Sequence, residues 1–204
     1  MRNPFVTAEV IEELSRRRPL LTHYEVRCAI ARHRRTPEIV GLRFVPDLFW
    51  RDLLEITVDM RVRPAVRAVA EKYLSDRLDR LTVGEKTTLA RRATANVLAG
   101  LRKDPNLRVI KAFLSNPRLT EPVLLPLAAS EVASPRILDA VASDPKWGSR
   151  YEIKVALSRN PQAPFRVILD ILPSLRRHDL LAVAEYEPHS WVVKHRANEL
   201  FADR

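Results

Sequence analysis

Chemistry in a protein starts from a few residue types at fixed spacings. A thiol needs a base in reach to become a nucleophile, two imidazoles one helical turn apart can hold a metal, and clustered glycines let backbone amides cradle a phosphate. The single cysteine, Cys28, has no recognisable base partner, and its solitude excludes an internal disulfide and any multi-cysteine zinc or iron–sulfur site. The five histidines, His23, His33, His178, His189 and His195, contain no i, i+4 pair and no HExxH motif. The 4 glycines, at 41, 84, 100 and 148, are too dispersed for a phosphate-binding turn. No catalytic residue, metal, cofactor or small-molecule substrate is therefore expected, and the chain reads as a non-enzyme. What remains is binding chemistry. Phe49 and Trp50 share one segment with Arg32, Arg34, Arg35, Arg61 and Arg63. Aromatic rings and guanidinium groups anchor protein partners when desolvated, and the same combination grips a phosphate backbone while stacking a base.

The charge balance bears on that choice. Among 204 residues, 35 Lys+Arg face 25 Asp+Glu, a net charge of +10. The excess is +4 over 1–77, +4 over 78–149 and +2 over 150–204, so no single stripe holds it. Arg outnumbers Lys 28 to 7, and a dispersed excess fits a compositional arginine bias better than a dedicated polyanion face. With 46% apolar residues the length suits one soluble domain with a substantial core. Neither an 18-residue apolar run nor an apolar leader is present, so a cytoplasmic location without membrane insertion is expected.

The elements that position these residues come from an internal repeat. Sliding the chain along itself until Thr22 meets Ser149 aligns Thr22–Arg77 with Ser149–Arg204 without a gap. It makes 16 positions identical, among them Tyr24, Glu25, Arg32, Asp52, Leu53, Leu54 and Val66. A partial third copy begins near Ile110, where Leu114-Ser115-Asn116-Pro117 resembles Leu157-Ser158-Arg159-Asn160-Pro161. The implied unit is about 42 residues, the scale of stacked helical units that cannot bury their apolar faces alone. Apolar spacing at Val26-Ala29-Ile30 and Ile153-Ala156-Leu157 is helical, and no alternating strand pattern is present. Thr22–Glu25, Thr82–Glu85 and Ser149–Glu152 fit capping boxes, which also accounts for the paired carboxylates Glu25 and Glu152. Thr36-Pro37, Asp104-Pro105 and Ser134-Pro135 fit a cap followed by a first-turn proline. The first copy therefore parses as helices over roughly 23–33, 37–45 and 48–58, with a longer one near 64–78.

Comparing the copies assigns roles. Cys28 faces Val155 across the alignment and is expected to pack as a buried hydrophobe. Asp52 and Asp179 precede Leu-Leu pairs in apolar helices and need cationic partners, for which Arg32 and Arg159 are the repeated candidates. Leu42/Leu169, Leu53/Leu180, Leu54/Leu181 and Val66/Val193 are expected mostly in the core. Phe49-Trp50 replaces Arg176-Arg177, a solvent-facing pair, so the first copy should present its aromatics to a partner unless an N-terminal helix near 7–17 covers them.

Three short helices per unit with Pro-capped turns resemble the HEAT/armadillo class of α-solenoid, and the Leu-Ser-Asn-Pro turns resemble bacterial HEAT-like and leucine-rich-repeat-variant proteins. The resemblance covers about 22–204. It implies an all-α, right-handed stack of about four degenerate units, with 1–21 as cap, 22–77 and 149–204 as the clear repeats and 78–148 as diverged ones. It also implies a protein-binding or scaffolding role. The iron–sulfur cluster that some leucine-rich-repeat-variant proteins carry does not transfer to a chain with one cysteine. The alternative is nucleic-acid binding on a basic face, by resemblance to DNA glycosylases of HEAT-like repeats, with Trp50, Trp147 and Trp191 near Asp52 as imitators of their site.

Overall fold

The computed structural model describes residues 6–203, and all regular secondary structure among them is helical. The chain divides at Gly100/Leu101 into two compact units. The first contains α1 (Ala8–Leu14), α2 (Arg18–Leu21), α3 (Tyr24–Arg32), α4 (Glu38–Phe44), α5 (Trp50–Val58), α6 (Pro64–Asp76) and α7 (Val83–Ala90), and the division falls in the last turn of α8 (Ala95–Leu101). The second contains α9 (Leu107–Leu114), α10 (Glu121–Ala128), α11 (Pro135–Ala142), α12 (Tyr151–Ser158), α13 (Phe165–Ile171), α14 (Arg177–Glu185) and α15 (Trp191–Ala202). Helices this short are marginal alone, so burial of their apolar faces holds them. Proline at the first or second helical position starts α2, α6, α10 and α11, where its missing N–H would be unsatisfied anyway.

The copies fold alike. Helices α3 to α6 recur in the second copy as α12 to α15, each with its first residue at the aligned position. Even the 3₁₀ turn Val45–Asp47 returns as Leu172–Ser174, each built on a Val/Leu-Pro step. Successive helix triplets open at Tyr24, Pro64, Leu107 and Tyr151, and α15 follows at Trp191, a near-constant spacing along the chain.

The helix caps depart from the sequence reading. Thr82 makes its capping box: its hydroxyl accepts from Glu85 N–H at 3.4 Å and Glu85 Oε2 accepts from Thr82 N–H at 2.9 Å. The boxes expected at Thr22–Glu25 and Ser149–Glu152 do not form. Helices α3 and α12 begin one residue later, behind His23 and Arg150, and the two hydroxyls donate backward to Pro19 O at 2.7 Å and Lys146 O at 3.0 Å. A hydroxyl with a carbonyl of the preceding turn in reach serves as donor rather than as cap. Thr36 does the same, donating to Ile30 O at 2.6 Å, so α4 starts behind Pro37. Asp104 accepts from Asn106 N–H, which moves the cap of α9 to Asn106. Ser134 takes the N-cap position ahead of Pro135 as expected, but its side chain makes no capping bond.

Leu53, Leu180, Leu54, Val66 and Val193 are buried, while Leu42 and Leu169 are half-buried. Leu181 is a correction: it is exposed. Its counterpart Leu54 lies in α5, whose Trp50 donates to Glu85 of α7, whereas Arg177, aligned with Trp50, lies over the Phe201 ring of α15 instead. Among the described residues no helix is long and apolar enough to cross a membrane.

Candidate functional site

Helical spacing places Tyr24, Cys28 and Arg32 on one face of α3, each one turn from the next. That face meets Asp52 in the first turn of α5. The Tyr24 hydroxyl donates to Asp52 Oδ2 at 2.5 Å and accepts from Phe49 N–H at 3.0 Å, the Cys28 thiol lies 3.2 Å from Asp52 Oδ1, and Arg32 lies at 3.8 Å. The second copy rebuilds the arrangement. Tyr151 donates to Asp179 at 2.5 Å and accepts from Arg176 N–H at 2.9 Å, and Arg159 donates to Asp179 at 2.7 Å. The expected Arg–Asp pairs are present in both copies. The tyrosines went unassigned in the sequence, although their identity in both copies, one and two turns ahead of positions 28 and 32, was the available signal.

Two substitutions explain why the copies differ in tightness. Glu55, which draws Arg32 at 3.8 Å and Arg92 at 2.8 Å, aligns with Ala182, so Arg159 meets no competing carboxylate there. Cys28 aligns with Val155, which leaves an Asp179 oxygen open to Arg159. Burial, then the bond to the carboxylate, raises both tyrosine hydroxyls above their ordinary range. Each aspartate is occupied by protein groups, so the arrangement ties one helix to the start of another. Cys28 is buried as expected, but its thiol has a polar partner, which corrects the purely apolar reading. Burial, and then Asp52, push the thiol up to about 11. Because only the thiolate alkylates, native protein at neutral pH should react with iodoacetamide far more slowly than unfolded protein, with a rate that climbs with pH toward that value. Equal rates in both states would contradict the buried placement.

The candidate binding residues do not form one cluster. Phe49 is 64% exposed, so the N-terminal helix does not cover it, and its ring lies 4.6 Å from that of Tyr24. Arg27 approaches the Tyr24 ring and Arg51 the Trp50 ring, which flanks the aromatic pair with positive charge. Trp50 is half-buried, and its indole N–H donates to Glu85 at 2.9 Å. Arg32 joins Asp52 and Glu55, and Arg61 holds Asp59 at 2.8 Å, a pairing that keeps the Asp59 carboxyl at about 2. Arg63 donates to Thr36 O at 3.0 Å and Arg35 to Val6 O at 3.0 Å, while Arg34 is exposed. Arg61 and Arg63 follow the far end of α5, separated from Phe49 by the helix length, roughly 14 Å.

Arginine in the first unit has a second use invisible in the sequence. Arg27, Arg35, Arg43, Arg63 and Arg77 donate to the carbonyls of Leu21, Val6, Ser15, Thr36 and, for Arg77, both Pro46 and Leu48. Several of these carbonyls sit at helix ends and lack helical partners. A carbonyl fixes the guanidinium without cancelling its charge. Of the tryptophans, Trp147 is buried with its N–H on Leu114 O, and Trp191 is 73% exposed against His195, so the three do not share one setting. Among the described residues no three His, Cys, Asp or Glu side chains are placed to hold a metal ion. No family model matches the sequence, and no curated protein or solved structure shows significant similarity to it.

Proposed function

We propose that the chain is a binding or scaffolding module built as a stack of about four three-helix units of HEAT/armadillo kind, without catalytic chemistry, and that the start of α5 is a protein-docking point. The regular recurrence of helix triplets and the duplicated Tyr–Asp–Arg ties support the repeat reading. One observation carries the docking assignment: Phe49 stands 64% exposed beside Tyr24, where the other copy has Arg176. A phenylalanine in water loses hydrophobic free energy that a partner restores. The second reading, nucleic acid, draws on the carbonyl-bound guanidinium groups, whose charge is uncompensated by those bonds.

A photo-crosslinking experiment separates the two. Phe49 is replaced by p-benzoylphenylalanine in the full chain and irradiated in its native cells, with the same replacement at Val132, which is 95% exposed, as the control. A discrete adduct specific to position 49 that survives nuclease is the expected result. A nuclease-sensitive adduct supports the second reading, and labelling no different from position 132 overturns the docking assignment.

A further inference from the structure

The second unit contains an open groove of about 430 Å³ between α10 and α12. Its apolar walls are Leu125, Ala129, Val155, Ala156, Pro161 and Tyr186. Its polar lining is Glu131, Glu152, Arg159 and Asn160. The last two are already engaged. Arg159 donates to Asp179 at 2.7 Å, and the Asn160 amide donates to Ala128 O at 2.8 Å and Ser130 O at 3.0 Å while its carbonyl accepts from Gln162 N–H. Those bonds pin the loop that forms one wall. Glu131 and Glu152 are exposed carboxylates for which no ion pair is present among the described residues. Taken with the Arg159–Asp179 pair, the groove carries a net −2 on a chain of net +10.

Apolar walls with carboxylates at the rim complement one chemistry: an apolar side chain next to a cationic one. We infer that this groove docks a short segment of a partner protein in which a leucine-sized residue adjoins an arginine or lysine. The apolar residue lies against Val155, Ala156 and Tyr186, and the cation meets Glu131 or Glu152. The internal copy marks the groove as a specialisation of the second unit. The residues aligned with Pro161 and Tyr186 are Arg34 and Asp59, and Arg61 already holds Asp59, so the first copy has charge where the second has apolar wall. The groove is separate from Phe49, and neither assignment depends on the other.

The test is selection of random decapeptides displayed on phage against the intact protein, followed by fluorescence anisotropy with the recovered peptides. Recovered sequences should be enriched in Arg or Lys beside Leu, Ile, Val, Met or Phe. Binding should weaken at least tenfold in the double variant Glu131→Gln/Glu152→Gln and be abolished by Ala156→Trp, which fills the groove. Unchanged thermal melting of the Gln variant distinguishes lost binding from lost folding. Enrichment of acidic sequences, no enrichment, or binding that persists in the Gln variant overturns the proposal.

Discussion

Leu53→Ala and Leu180→Ala should each lower stability by about 2–5 kcal/mol, the range for truncating a leucine the fold cannot collapse around. Both side chains are fully buried, at aligned positions in α5 and α14. Each precedes a second leucine, and there the copies part: Leu54 is buried and Leu181 is 38% exposed. Leu54→Ala should therefore follow Leu53→Ala, whereas Leu181→Ala should cost only about 1 kcal/mol, because less of that side chain is removed from water. Urea denaturation at constant slope measures all four. A large loss at Leu181 together with a negligible one at Leu180 would mean that α14 is rotated about its axis from the orientation described.

Helix positions were legible because two independent signals coincide at each. Apolar residues recurring at the helical period mark the buried face, and proline or a turn residue marks the start, so the helices over 24–32, 38–44, 50–58 and 64–76 fall within the ranges read from sequence. The caps were less legible because one hydroxyl can accept from the next turn or donate to the previous one. Thr82 does the first, Thr22 and Ser149 the second, and the decision turns on a single-residue shift of the helix start.

Partners distant in sequence divide the same way. Arg32 with Asp52 was readable because only one other basic residue, Arg77, is identical in both copies, and a half-buried acid requires a cation. The hydroxyl of Tyr24 gave no such demand, since it reaches Asp52 only after α3 lies along α5. The arginines on carbonyls were illegible for a stricter reason: a carbonyl belongs to every residue and leaves no mark in the sequence. Phe49 and Trp50 look alike as a dipeptide. Adjacent positions at a helix start point in different directions, so one meets water and the other reaches Glu85.

The repeated aspartates supply the second large effect and an internal control for it. The Asp179 side chain is 5% exposed and receives hydrogen bonds from Tyr151 and Arg159, with His178 Nε2 at 3.0 Å. Asp179→Ala removes the acceptor of a tyrosine hydroxyl and leaves Arg159, itself 46% exposed, to be solvated by water. The loss should be about 2–3 kcal/mol, the scale of hydrogen bonds to a charged group after water takes up part of the deficit. Asp52 is 25% exposed, and its arginine stands at 3.8 Å, beyond hydrogen-bond reach, with Glu55 as a second partner. Asp52→Ala should therefore cost about 1–2 kcal/mol, mostly from the tyrosine and thiol bonds. Tyr151→Phe should cost less in the Asp179→Ala background than in the native protein, because the hydroxyl's donor bond is already gone and only its acceptor bond from Arg176 N–H is left to lose, and the double-mutant cycle reads that coupling directly. A cycle with no coupling, or a larger loss at Asp52 than at Asp179, would show that these carboxylates do not tie α3 to α5 and α12 to α14 by the bonds described.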